Sequence, residues 1–201
     1  MKWILVRHGK DDDRFRGGWS DLGLLPEGLE QAKKLALFLK ENKADYPITK
    51  VVSSDLPRAM TTANIIAKEL CLTVCGESRL REINNGDLAG MPNDAALEKY
   101  PGFFFNTLRM DEAYPNGESP NDFYARIRNW FADFSANCRE ANGDILVVTH
   151  GGVINVIYHL VKHKPWSNRT KAYKTANCSI HVLNMDTMIF ETENKVDFLS
   201  K

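Results

Sequence analysis

The chain has no surplus of either charge: 26 Lys and Arg stand against 26 Asp and Glu in 201 residues. Without a basic or acidic excess there is no long-range field to draw it to nucleic acid or to an anionic membrane, and neither partner is expected. Cysteine is scarce as well. Cys71, Cys75, Cys138 and Cys178 show no C-x-x-C spacing and no zinc-type histidine pairing, which excludes a metal ribbon and a disulfide framework and leaves reduced thiols. No apolar stretch approaches the roughly 20 residues of a membrane span. The apolar part of "MKWILVRHG" is too short for a secretory signal, so a cytoplasmic setting is expected. With no repeat or low-complexity tract to divide it, the chain reads as one domain over 1–201, and any recognition of anions must be local.

What is present is an alternation of short apolar runs with longer amphipathic ones. That pattern predicts a three-layer α/β fold, a mostly parallel sheet flanked by helices. "LPEGLEQAKKLALFLKEN" puts Leu29, Ala32, Leu35, Ala36 and Leu39 on one helical face, with Pro26 suited to the first turn. "KVVSS" reads as a buried strand. "DLPRAMTTANIIAKEL" follows it as a helix capped by Asp55, started by Pro57 and turning Ile65, Ile66 and Leu70 inward. "DILVVTHGGVINVIYHLV" repeats the strand-to-helix arrangement through His150 and two glycines. The proline-broken stretch from about 91 to 118 reads as a small helical and loop insertion over one end of the sheet, with Phe103 to Phe105 as core. A long helix should then run from about Ser119 to Arg139. "CSIHVLNMDTMIFETENK" alternates around its "NMDT" turn as the sheet's edge. His159, His163 and His181 have no partner pattern and read as structural. Asp11 to Asp13 read as a solvated acidic loop, because adjacent side chains diverge and form no metal cluster.

The chemistry gathers where strands end. In open α/β sheets ligands bind beyond the carboxyl ends of the strands, and three predicted strands deliver Arg7 and His8, Arg58, and His150 to that edge. Gly9 and Gly151–Gly152 remove side chains where a ligand needs close backbone approach, and the helix after His150 points free N–H groups at the same space. Guanidinium forks match phosphate oxygens, and a histidine between two of them has its cationic form disfavoured, which preserves a lone pair for attack. Such a pocket suits a phosphoryl dianion.

"LVRHGK", "SSDLPRAMTTA", "LREINNGDLAG", "NGES" and "VVTHGG", in that order from residue 4 to about 157, resemble the histidine phosphatase superfamily with its phosphoglycerate-mutase-like fold. The resemblance implies His8 as the nucleophile that becomes phosphorylated, Arg7 and Arg58 as phosphate ligands and His150 as the second histidine on the phosphoryl group. It implies Glu82 as the proton donor to the leaving oxygen, Gly9 and Gly151 beside the phosphoryl group, and neither metal nor other cofactor. One departure stands out. Members commonly have "RHGET" followed by an asparagine on the phosphoryl group, whereas "RHGKDDDR" brings Arg14 to that place. The guanidinium either replaces the amide or stands in solvent. The pattern resumes in "GGWSDLGLLPEGLEQA", where Asp21 is a further substrate-binding candidate. Only 27 residues separate Gly90 from Glu118, and "VTHGG" stands where mutases have "AHGNS". Both features favour a phosphomonoester hydrolase over a cofactor-dependent phosphoglycerate mutase. A non-catalytic phosphoester-binding protein is the alternative from another class. The expected partner is a small phosphomonoester, with sugar phosphates, nucleotides, a cobalamin-pathway nucleoside phosphate and phosphoproteins all open; Arg14, Arg16 and Trp19 are candidates for a second anionic or planar group. A homodimer also stays open.

Overall fold

Along β1 (Lys2–Arg7), β2 (Ile48–Ser53) and β4 (Asp144–Thr149), successive side chains point to opposite faces, so each strand feeds two cores at once. The computed structural model describes residues 1–138 and 142–200. Its sheet is completed by β3 (Val74–Gly76), β5 (Ile180–Asn184) and β6 (Ile189–Lys195), in the order β3-β2-β4-β1-β5-β6. The first four of that order run parallel, while β5 lies antiparallel to β1 and β6 antiparallel to β5. On one face Ile4, Val6, Val51, Leu146 and Val148 pack against α1 (Pro26–Glu41) and α2 (Pro57–Leu70). On the other, Trp3, Leu5, Val52, Ile145 and Val147 pack against α4 (Pro120–Asn137) and α5 (Gly151–Val161). The result is the expected three-layer α/β arrangement. Leu35 and Leu39 of α1 are fully buried, so truncating either to alanine should cost about 2–5 kcal/mol.

The predicted helix starts are right in place and wrong in detail. Gly28, not Leu29, shares the buried face of α1, and Leu29 is only half-buried. The reason is a backbone contact: a Cβ at Gly28 would lie 2.2 Å from the Lys10 carbonyl oxygen, and one at Gly9 would lie 2.4 Å from that of Gly28. Gly9 therefore makes room for a helix, a need separate from the close ligand approach that its place beside His8 suggests. Asp55 does not cap α2, whose Ncap is Leu56; its carboxylate instead takes a two-pronged bond from Arg81, both contacts at 2.6 Å. Ser119 does cap α4, in a reciprocal box with Asp122. The expected end of that helix at Arg139 falls outside the described residues.

The insertion contains α3 (Asn93–Lys99) and lays Phe103, Phe105 and Leu108 on the α4/α5 core, whereas Phe104 turns away to lie under the Arg16 guanidinium at 4.2 Å. His181 is a core residue: its Nδ1 lies 2.8 Å from the Tyr158 hydroxyl and accepts from the Asn194 N–H, leaving Nε2–H for the Ser179 hydroxyl at 2.9 Å. Burial pushes it down to about 4. All four cysteines are free thiols. Among the described residues no helix is long and apolar enough to cross a membrane.

Candidate active site

Parallel pairing of β1 with β4 sets Arg7 opposite Thr149, and the His8 N–H donates to the Thr149 carbonyl at 3.0 Å. The next residue on each strand, His8 and His150, therefore leaves the sheet beside the other, with ring centroids 5.0 Å apart. Ser54, one step past β2, donates its N–H to Val148 and brings its hydroxyl 2.8 Å from His150 Nε2. Arg58, in the first turn of α2, is 2% exposed. Strand register and a helix start are thus enough to place four of the predicted groups, Arg7, His8, His150 and Arg58.

Their protonation follows from their neighbours. His8 Nδ1 lies 2.7 Å from the Gly9 carbonyl, which only accepts, so Nδ1 carries the hydrogen and Nε2 of the neutral ring carries the lone pair. Burial, then Arg58, then Arg7 hold this imidazole well below its usual range. Burial, Arg58 and His8 do the same to His150, whose Nδ1 has no protein partner. The two guanidinium groups are aimed chiefly by loop carbonyls: Arg58 Nη2 donates to Gly18 at 2.7 Å and Arg7 Nη1 to Thr175 at 2.8 Å. Asp11 is the carboxylate nearest Arg58, with 3.5 Å between Oδ2 and Nε. Buried polar atoms normally find partners. Among the described residues, Arg7 Nε, Arg58 Nε, His150 Nδ1 and Thr175 Oγ1 make no hydrogen bond.

Glu82 joins this group from a loop. Its Oε2 accepts from the Gly152 N–H at 2.9 Å, where the first turn of α5 favours a negative charge. A Cβ on Gly152 would come within 2.3 Å of the Glu82 carboxylate, so this glycine admits Glu82, and one of the N–H groups predicted to face a ligand is already taken. The loop itself is pinned from behind. Arg126 of α4 forks onto Glu118 at 2.7 and 2.8 Å and donates to the carbonyls of Arg79, Arg81 and Glu82, while Trp19 Nε1 donates to Glu82 O at 2.7 Å.

Two of the remaining candidates, Arg14 and Asp21, lie elsewhere. Arg14 is 80% exposed and forks onto Asp12, its Nη2 2.6 Å from Oδ2, away from His8 and Arg58. Asp13 pairs with Lys10. The acidic triplet thus splits three ways, and Asp11 belongs to the site, not to solvent. Asp21 is exposed, and the cation its charge acts on is Arg81. Gly151 does sit at the site: a Cβ there would be 3.0 Å from Thr175 Oγ1 and 3.2 Å from Lys171 Nζ. Lys171 and Thr175 lie on the long stretch between α5 and β5, for which periodicity and motif offer no signal. A cavity of about 300 Å³ opens here, lined by Arg7, Glu82, Phe105, Gly151, Trp166 and Lys171 among others.

A model of the histidine phosphatase superfamily, branch 1, matches residues 3–195. A 2,3-bisphosphoglycerate-dependent phosphoglycerate mutase of Xanthobacter autotrophicus is 28% identical over 96% of this chain and 97% of its own. An uncharacterized phosphatase of Bacillus subtilis, PhoE, is 30% identical over 76% of this chain and 73% of its own. Among solved structures, a mycobacterial glucosyl-3-phosphoglycerate phosphatase superposes with a TM-score of 0.75 at 26% identity, covering 96% of this chain and 98% of that one. Because the mutase relative matches over nearly its whole length, the short insertion does not separate hydrolase from mutase.

Proposed function

Because the chain belongs to the histidine phosphatase superfamily, we propose that it is a phosphomonoester hydrolase working through a phosphohistidine on His8. The observation that carries this reading is the His8 tautomer: Nδ1 is committed to Gly9 O, which leaves the lone pair on Nε2 of a ring whose neighbours are Arg7, Arg58 and His150. In the proposed first step Nε2 attacks phosphorus while the two guanidinium groups and His150 stabilise the equatorial oxygens, the charge distribution that in-line phosphoryl transfer requires. The P–O bond to the alcohol breaks, and Glu82 supplies the proton to the departing oxygen. Water then attacks the phosphohistidine, giving its proton to Glu82; the N–P bond breaks and inorganic phosphate leaves. A small-molecule phosphomonoester is the proposed partner. A reducing, cytoplasmic setting goes with this reading and is supported by the four free thiols.

The full-length likeness to a phosphoglycerate mutase favours a second reading, in which the phosphohistidine is delivered to an alcohol instead of to water. The convergence of five chemically matched side chains speaks against a purely binding protein. One experiment separates the three. Rapid quench with labelled phosphomonoester should give an acid-labile, alkali-stable adduct, absent in His8→Ala, that decays to inorganic phosphate. Label passing to an added phosphoglycerate would establish the mutase reading, and full activity in His8→Ala would overturn both enzymatic ones.

A further inference from the structure

The hydrolase reading leaves the alcohol half of the substrate unspecified, and the cavity on Glu82's side of the site narrows it. If Glu82 protonates the leaving oxygen, the group carrying that oxygen occupies this cavity. Its wall is aromatic and rigid. Trp166 stacks on Tyr124 at 5.2 Å and 17°, and Phe105 meets Phe123 edge-on at 5.9 Å. The two loops that form the wall are tied together and to the helix. Asn168 Nδ2 donates to the carbonyls of Phe105 and Leu108, and Asn155 of α5 clamps Tyr173, donating to its carbonyl and accepting its N–H, both at 3.0 Å. A surface already held in shape binds a flat group without an ordering cost.

Besides Arg7, the cavity lining carries a second cation. Lys171 lines the cavity, and it makes no hydrogen bond or ion pair with any described residue, although Glu82 is close enough to act on its charge. Its Nζ lies 3.2 Å from where a Cβ on Gly151 would be, beside Thr175, which is 3% exposed and whose Oγ1 is unpartnered. Lys171 stands between the two sides, with Arg7 and Glu82 as the charges that act on it, whereas the neighbours of the His8 imidazole include Arg7, Arg58, His150 and the Gly9 carbonyl.

We propose that Lys171 is a specificity-determining residue that binds a second anionic group on the leaving half of the substrate, and that the substrate class is a phosphomonoester of a flat, largely apolar alcohol bearing one acidic group. The inference rests on the hydrolase reading for the orientation of the ligand. Trp166 and Phe105 take the flat face, Arg7 and Arg58 the phosphoryl group, and Lys171, with the Thr175 hydroxyl beside it, the acid. Burial and the nearby Arg7 disfavour the charged ammonium, so an anion that restores its pairing gains more than one in open solvent.

The test uses binding, so that it does not depend on turnover. Phenylphosphonate and 3-carboxyphenylphosphonate, which are not hydrolysed, differ only in the acid. Calorimetric titration of the wild-type protein should show the carboxylated ligand binding about tenfold tighter or more, the range of a charge-assisted hydrogen bond. Lys171→Met should bring the two within about twofold, and Lys171→Arg should retain the preference. No preference in the wild type overturns the proposal, as does a preference that survives in Lys171→Met. Equal weakening of both ligands in Lys171→Met also overturns it, since Lys171 would then hold the phosphoryl group. A protein that shows the preference yet hydrolyses no phosphomonoester would sink the hydrolase reading and leave the cation in place; an active one with no preference would do the reverse.

Discussion

The two sides of the site are built by different means. On the His8 side, Arg7, His8, Arg58 and His150 are carried by strand ends and a helix start, and the β1–β4 register alone sets both histidines side by side. On the Glu82 side, the groups come from loops between elements, and cross-links such as Arg126 to Glu118 and to the carbonyls of Arg79, Arg81 and Glu82 set their positions. A group placed by periodic structure inherits its geometry from the sheet. One placed by loops has a geometry only as good as the polar bonds behind it. The His8 side therefore suits the part of the chemistry common to every phosphomonoester, and the Glu82 side the part that varies with the alcohol.

The largest effect expected from breaking one side while sparing the other is at Glu82. Glu82→Gln keeps the hydrogen bond from Gly152 but removes the proton, and it should lower turnover of alkyl phosphomonoesters by about 10²- to 10⁴-fold. With p-nitrophenyl phosphate, whose phenolate leaves with little protonation, the loss should shrink. Steady-state kcat for the two substrates decides the matter: equal losses would mean that Glu82 positions the substrate and protonates nothing.

This division also explains what could be read before the fold was known. The order of strands and helices, and the arrival of Arg7, His8, Arg58 and His150 at one edge, follow from apolar runs that end at charged residues, because strand direction determines where the next side chain goes. For Gly9 the sequence does not show what approaches, because close backbone approach looks the same whether it is a ligand or a helix, and Gly28 of α1 is one such neighbour. Asp55 differs from its expected role because a carboxylate before a helix is an equally good cap or ion-pair partner, and Arg81, far along the chain, decides for the second. Lys171, Thr175 and Arg126 carried no signal. Their importance comes from contacts between segments such as 151–155 and 171–175, which no local pattern announces.

A smaller effect sharpens the comparison through acid stability. His8 and His150 are buried and held neutral, and His181 in the core behaves likewise, whereas the Glu82 side contributes no such histidine to the cavity lining. In the unfolded chain these imidazoles take up protons as pH falls through about 6.5. The unfolded state then binds more protons than the folded one, so stability falls with pH below that point, by up to ~1.4 kcal/mol per pH unit for each histidine. For His181 the loss ends near its folded value of about 4. Urea unfolding at pH 7 and pH 5 should show a clear drop in the wild-type protein and a shallower one in His8→Asn. An unchanged slope in His8→Asn would mean that His8 takes up its proton in the fold as readily as in the unfolded chain, so that burial and the two guanidinium groups do not hold it neutral at pH 5.

The smallest effect belongs to Arg14, which the two sides leave out. Its guanidinium is 80% exposed and satisfied by Asp12 two residues away, a local pair that holds the loop's charge balance without reaching toward His8. Exposed pairs of this kind contribute little and are screened by salt. Arg14→Asn therefore places the amide that other members carry at this point into a loop that does not present it to the phosphoryl group, and kcat/KM should stay within about twofold for p-nitrophenyl phosphate and for acidic aryl phosphates alike. The comparison between the two substrates is what gives this small number meaning. A KM that rises only for the acidic substrate would show that the 10–14 loop swings over the site when the alcohol is bound, moving the second cation from Lys171 to Arg14. A fall in kcat shared by both substrates would show that the loop closes on the phosphoryl group itself, and the His8 side would then depend on a loop as much as the Glu82 side does.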